Sequence, residues 1–233
     1  CAGAPIPGPL VERAQQALGI KIVSAWGMTE NGAVTLIRLD DPDSRASTTD
    51  GCPLPGVEVR VVDADGRDLP VGESGRLLVR SVSNFGGYLH RPQLNSTDAD
   101  GWFDTGDLAH LDAAGYIRIS GRSKDVIIRG GENIPVFEVE AALYKHPAIA
   151  QVAVVSYPDE RLGERACAVV VTKAGAPFGF DDMSDFLKQQ KFAMQYLPER
   201  LLVLDAMPAT PSGKIQKFKL RDLLKEQIER DGR

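Results

Sequence analysis

An α/β layer that passes into a small β-barrel-like region and then into a compact α+β unit is the fold class this sequence predicts. Three observations carry that reading. A short amphipathic helix runs straight into a β-rich segment over residues 10–25, short strands separated by turns follow from Val57, and helices and strands mix over residues 126–233. A polar stretch at residues 121–125 separates the last part from the rest, so the expected division is 1–120, a hinge at 121–125, and 126–233. The last part holds about 110 residues, enough to bury an independent core.

At the start, Pro9 sits where a first helical turn tolerates it, because its missing N–H has no helical partner there. Leu10, Val11, Ala14 and Leu18 recur on one face, and Gly19 supplies the stop. Residues 20–25 are β-rich and lead into a turn that carries Trp26-Gly27-Met28-Thr29-Glu30. Strands are expected at 57–63, 75–81 and 115–120, the first closed by the turn Asp63-Ala64-Asp65-Gly66. Beyond the hinge, strands are expected at 126–129, 149–156, 166–172 and 200–205. Helices are expected at 135–145, entered by Pro135, at 181–190 and at 217–230. The chain contains no internal repeat and no low-complexity tract.

With 43% hydrophobic and 25% charged residues in 233, the chain has the composition of an ordered globular protein. Its net charge is −5 with both signs interspersed, which argues against a nucleic-acid partner because no basic stripe is available to follow a phosphate backbone. No apolar run approaches the ~20 residues of a membrane-spanning helix, and a cytoplasmic location is expected. Cys1, Cys52 and Cys167 lack the paired spacing of zinc or redox motifs, so they are expected as reduced thiols. His90, His110 and His146 are equally scattered, and any metal is expected to arrive with substrate.

Four polar motifs follow one another in order: Trp26-Gly27-Met28-Thr29-Glu30, Gly101-Trp102-Phe103-Asp104-Thr105-Gly106-Asp107, Gly121-Arg122-Ser123-Lys124-Asp125, and Ser212-Gly213-Lys214. Singly, each is a capped turn or a polar loop. Together they resemble the core motifs of the adenylate-forming (AMP-binding) superfamily, in its acyl-CoA synthetase branch. The resemblance implies the rest of a large N-terminal domain followed by a mobile C-terminal one. It also implies a magnesium-dependent ligase that joins a small carboxylic acid to coenzyme A through an acyl-adenylate, as in fatty-acid metabolism. That reaction brings two anions together, so cations and fixed donors must gather at the α-phosphate. By the same resemblance Lys214 serves adenylation, Thr29 donates to the α-phosphate, and Glu30 holds Mg2+. Trp26, with Gly27 beside it, stands where the family places an aromatic over adenine, and Gly3 and Ala4 belong to a loop that borders the same ring. Asp107 grips the ribose, seconded by Arg122, and Lys124 is the residue about which the last domain turns.

Gly130-Gly131-Glu132-Asn133-Ile134 resembles the loop that lines the pantetheine tunnel of CoA ligases, with Gly131 leaving room for a thin thiol arm. Ser212-Gly213-Lys214 is not a phosphate-binding P-loop, because Pro208 and Ile215 stand where that motif needs Gly and Ser or Thr. The family's Ser/Thr/Gly-rich phosphate loop is absent from the 233 residues, as is most of an acid pocket. The chain is therefore expected to be a C-terminal fragment, inactive alone, whose missing partner is the N-terminal part of the same polypeptide. Two alternatives stay open: an aryl-acid adenylating enzyme that loads a carrier protein, and a non-catalytic nucleotide-binding or interaction module.

Overall fold

Gly8–Leu18 forms helix α1, and Gly19 ends it at φ +62° while donating its N–H to the Gln15 carbonyl at 2.9 Å. That left-handed turn is the stop glycine provides without a Cβ penalty. The computed structural model describes residues 2, 8–174 and 176–231. It divides into two compact units, Cys1–Lys124 and Asp125–Arg233.

In the first unit, β1 (Ala25–Met28), β2 (Gly32–Leu36) and β3 (Cys52–Pro53) form an antiparallel sheet, with a short helix α2 (Arg45–Thr48) between the last two strands. The β-rich run at 20–24 is not a strand. Pairing begins only at Ala25 opposite Leu36, so the Trp26-Gly27-Met28 part of the motif lies in a strand and only Thr29-Glu30 lies in the turn. β4 (Val57–Val62), β5 (Gly75–Ser81), β6 (Phe103–Leu111) and β7 (Ile117–Arg122) then form an antiparallel sheet in simple chain order. The barrel-like region is thus an open sheet among the described residues, with β4 and β7 as its edge strands. Val34, Val61, Leu77, Val79, Ala109 and Ile117 make its core, with Trp26 packed against them.

The largest departure from expectation is β6. The segment around Asp107 reads as a Gly-flanked turn, yet it is the middle of a nine-residue strand whose inward positions are Phe103, Thr105, Asp107 and Ala109. The period-two alternation is present in the sequence, but a carboxylate occupies one of the inward positions and Gly106, at φ +69°, interrupts the β pattern.

In the second unit, β8 (Ile127–Arg129) and β9 (Glu132–Ile134) form a hairpin that leads into α3 (Val136–Leu143). β10 (Ile149–Asp159) and β11 (Gly163–Thr172) pair along their whole length. β11 also pairs antiparallel with β8 at Gly163 and parallel with β12 (Arg200–Val203). Helices α4 (Phe180–Gln189) and α5 (Lys217–Asp231) complete the unit. Alternation along β10 and β11 builds two cores on opposite faces of one sheet. Val152, Val154, Ala166, Ala168 and Val170 meet Val139 and Leu143 of α3 and Met183 and Leu187 of α4. Ala153, Val155, Cys167 and Val169 meet Leu220 and Leu224 of α5. Full burial of a Leu such as Leu143 or Leu187 stabilises by roughly 1.5–3 kcal/mol, so the hairpin and the helices are held by the sheet rather than by their own propensities.

Candidate functional site

β1 and β6 bring together residues far apart in sequence. The Trp26 indole N–H donates to Asp107 Oδ2 at 3.2 Å, and the Arg122 guanidinium Nε lies 2.8 Å from Asp107 Oδ1. Asp107 and Arg122 are also directly opposite in the β6–β7 ladder. The Asp107 side chain is 6% exposed, and Arg122 covers it with a side chain 34% exposed. Its position is fixed by local bonds as well. The Asp107 N–H donates to Thr105 Oγ1 at 3.1 Å, Thr105 Oγ1 donates to the Leu77 carbonyl at 2.8 Å, and the Gly106 N–H donates to Asp104 Oδ1 at 2.9 Å. Gly27 has a steric reason of its own: a Cβ there would stand 2.0 Å from the Gly32 carbonyl oxygen, where β1 carries a bulge.

The Thr29-Glu30 turn is closed by Asn31. Its Oδ1 accepts the Met28 N–H at 3.0 Å, and its own N–H donates to the Met28 carbonyl at 3.2 Å. Thr29 is exposed and Glu30 half-buried. A neighbouring segment holds this turn from outside. The Phe85 N–H donates to the Glu30 carbonyl at 2.7 Å, Ser83 Oγ to the Asn31 carbonyl at 2.7 Å, and the Tyr88 hydroxyl to Glu30 Oε1 at 2.7 Å. That last bond raises the Tyr88 phenol above its ordinary value, because it favours the protonated form. Sequence reasoning passes over Asn31, Ser83 and Tyr88. The only local signal is the Gly86-Gly87 pair before Tyr88, which marks a turn and no partner. Among the described residues no group of three His, Cys, Asp or Glu side chains could hold a metal ion by itself.

In the second unit Lys214 lies in a tight loop between Ala209 and Ile215, which form a β-bridge. Thr210 organises the loop: its N–H donates to the Lys214 carbonyl at 2.9 Å, its carbonyl accepts the Gly213 N–H at 2.8 Å, and its hydroxyl accepts the Lys214 N–H at 3.1 Å. The Lys214 side chain is exposed and has no ion pair among the described residues. Gly130 and Gly131 are the two loop residues of the β8–β9 hairpin, at φ +61° and +90°. Both positive angles suit a two-residue hairpin turn. A Cβ on Gly130 would press on Leu162 at 3.2 Å, whereas one on Gly131 would meet nothing within 4 Å.

Between these groups, Ser123–Asp125 forms a single 3-10 turn. Ser123 Oγ donates to the Gly106 carbonyl at 3.1 Å in the first unit, and Asp125 pairs with Arg221 of α5 at 3.0 Å in the second. Exposed Lys124 is the last residue of the first unit. Gly3 and Ala4 lie outside the described residues, as does Cys1; Cys52 and Cys167 are buried and free. No helix among the described residues is long and apolar enough to cross a membrane.

Comparison with known proteins gives the family of the chain. Residues 1–89 match the family model of the AMP-binding enzyme, and residues 138–214 match that of the AMP-binding enzyme C-terminal domain. The chain is similar to the medium-chain fatty-acid–CoA ligase of Escherichia coli (strain K12), with 43% identity over 99% of this chain and 41% of that protein. It is also similar to a salicylyl-CoA synthase / salicylate adenylyltransferase of a Streptomyces species, with 40% identity over 96% of this chain and 41% of that protein. Its fold superposes on the crystal structure of ATP-bound MatB from Rhodopseudomonas palustris with a TM-score of 0.90 and 32% identity, over 95% of this chain and 44% of that one. The chain spans about two fifths of the length of the curated relatives it matches. With both family models matched in order and the fold shared across nearly all of its length, the chain belongs to the AMP-binding enzyme family.

Proposed function

We propose that this chain takes part in an ATP-dependent, AMP-forming ligation of a carboxylic acid to coenzyme A, with a fatty or alicyclic acid as substrate and the cytoplasm as its place. The observation that carries the reading is the Trp26–Asp107–Arg122 set, in which three sequence-distant motif residues meet at one buried carboxylate. A carboxylate offers about four lone-pair sites, so Asp107 can take a ribose diol while Arg122 stays paired, and Trp26 shifts aside to place its ring on adenine. Thr29 and Glu30 face the phosphates from the exposed turn. Glu30 has the chemistry of a magnesium ligand: one oxygen is held by Tyr88, and Oε2 has no hydrogen-bond partner among the described residues. Magnesium, which prefers oxygen ligands and keeps several waters, would there neutralise phosphate charge. Lys214 brings its ammonium to the carboxylate and α-phosphate for the first step. Lys124 is the pivot between the two steps, and the open space at Gly131 admits the thiol arm in the second.

A second reading, an aryl-acid adenylating enzyme that passes its product to a carrier protein, is favoured by the relative whose name includes salicylate adenylyltransferase. The test is acid-dependent ATP–pyrophosphate exchange by the whole polypeptide, followed by AMP release with coenzyme A, across aliphatic, alicyclic and aryl acids. Exchange and CoA-dependent release with aliphatic or alicyclic acids supports the first reading. Exchange with aryl acids and no response to coenzyme A supports the second, and no exchange with any acid leaves a binding module.

A further inference from the structure

We infer that Tyr88 is a positioning residue that aims the Glu30 carboxylate, and that the segment 83–88 is the brace which makes this possible; the inference rests on the proposed role of Glu30 as a magnesium ligand. A half-buried glutamate on a turn still has two free side-chain torsions before its last one and wanders among rotamers, so a ligand carboxylate works best when a second group fixes one of its oxygens. Tyr88 does this by donating to Oε1 at 2.7 Å, which leaves Oε2 as the oxygen with no hydrogen-bond partner among the described residues. The phenol is itself anchored. Its ring meets Phe85 edge to face at a centroid distance of 4.8 Å, and Phe85 meets Phe103 in the same way at 5.6 Å. Phe103 is 2% exposed on β6, the strand that also carries Asp107, so the aromatic series refers Glu30 to the same rigid element that fixes the buried carboxylate.

Backbone contacts repeat the tie. Phe85 N–H donates to the Glu30 carbonyl and Ser83 Oγ to the Asn31 carbonyl, each at 2.7 Å, and the Tyr88 N–H donates to Asn95 Oδ1 at 2.8 Å. Gly87, just before Tyr88, has a φ of +130°, which side-chain-bearing residues rarely adopt, and a Cβ there would press on the Asn95 side chain that accepts the Tyr88 N–H. Tyr88 is 37% exposed, yet its hydroxyl is committed to Glu30.

The experiment is calorimetric titration of magnesium–ATP and, separately, of AMP into the whole polypeptide, with Tyr88→Phe, Glu30→Gln and the double variant. Tyr88→Phe keeps the ring contacts and removes only the hydroxyl. It is expected to weaken magnesium–ATP binding about 5- to 10-fold while leaving AMP binding and the unfolding temperature unchanged, and to add nothing in the Glu30→Gln background. Wild-type magnesium–ATP affinity in Tyr88→Phe, beside a weakened Glu30→Gln, overturns the inference and leaves the role of Glu30 standing. So does an equal loss of AMP binding, or an effect that persists in the double variant, since either marks general packing. Undiminished binding in Glu30→Gln overturns the role of Glu30 and the inference with it.

Discussion

Trp26 and Asp107, 81 positions apart, are joined by a hydrogen bond of 3.2 Å from the indole N–H to the carboxylate. The bond crosses from one sheet of the first unit to the other, and Arg122 closes it from the far side. Asp107→Ala removes the acceptor for both. In the whole polypeptide it is expected to weaken AMP binding roughly 10- to 100-fold, the loss of one or two charge-assisted hydrogen bonds. Asp107→Asn keeps the shape and one acceptor and should lie between. Calorimetry with AMP checks this, and Trp26 fluorescence gives a second readout, since a ring that moves from the carboxylate onto a base changes its surroundings. Unaltered AMP affinity in both variants would sink the ribose role.

Lys214 is held in position by its backbone, through two bonds to Thr210, while its side chain stays exposed. Lys214→Ala should therefore leave the unfolding temperature unchanged. Acid-dependent pyrophosphate exchange should fall about 10²- to 10³-fold, the usual cost of removing one charge-stabilising group from a developing anion. Thioester formation from a supplied acyl-adenylate should stay near wild type. Exchange at the wild-type rate would remove Lys214 from the chemistry.

Lys124, exposed in this structure, is the proposed pivot for the second step. Ser123 is bonded to the Gly106 carbonyl and Asp125 to Arg221, so the proposed pivot, Lys124, stands between two anchored neighbours. Lys124→Pro fixes one torsion there and also restricts Ser123 before it. Pyrophosphate exchange is expected to survive within about 3-fold, and CoA-dependent AMP release to fall by more than about 10-fold. Equal losses in both steps would contradict a pivot.

The second unit was readable from sequence nearly element by element because its signals are local. β10 and β11 alternate toward two apolar faces and Pro135 marks the start of α3, whereas β9 went unread, because Gly130-Gly131 signals a turn but the three residues after it are too few to show a strand pattern. The first unit was readable only in part. Strand β5 falls at 75–81 as its residues imply, but β6 was hidden because Asp107 occupies an inward position that elsewhere on that strand holds Phe103 or Ala109. A buried carboxylate breaks the hydrophobic pattern by which strands are recognised, and it is tolerated because Arg122 and Trp26 satisfy it. The motif residues themselves were legible as types at a spacing. Their mutual contacts were not, because Trp26 to Asp107 and Glu30 to Tyr88 are long-range pairs with no local signature.

His146 offers a test of stability rather than of activity. Its ring lies between Phe178 and Phe186, each at a centroid distance of 4.8 Å, and its Nδ1 accepts the Ala148 N–H at 3.2 Å. Burial lowers its pKa from the ordinary 6.5, with Lys173 in the same direction and Asp182 opposing. The unfolded chain therefore binds more protons than the folded one just below that value, and linkage gives the sign. The stabilising contribution of the neutral ring is complete above about pH 6.5 and declines as pH falls through the lowered folded value. His146→Asn retains an acceptor that can reach the N–H two residues on and removes the titration. It should lower the unfolding temperature at neutral pH, through lost ring packing, yet flatten its fall between about pH 7.5 and pH 5.5 relative to wild type. Both tryptophans, Trp26 and Trp102, lie in the first unit, so calorimetry or circular dichroism is the suitable readout for the second. Parallel pH profiles for wild type and variant would show that the imidazole is as easily protonated in the fold as outside it.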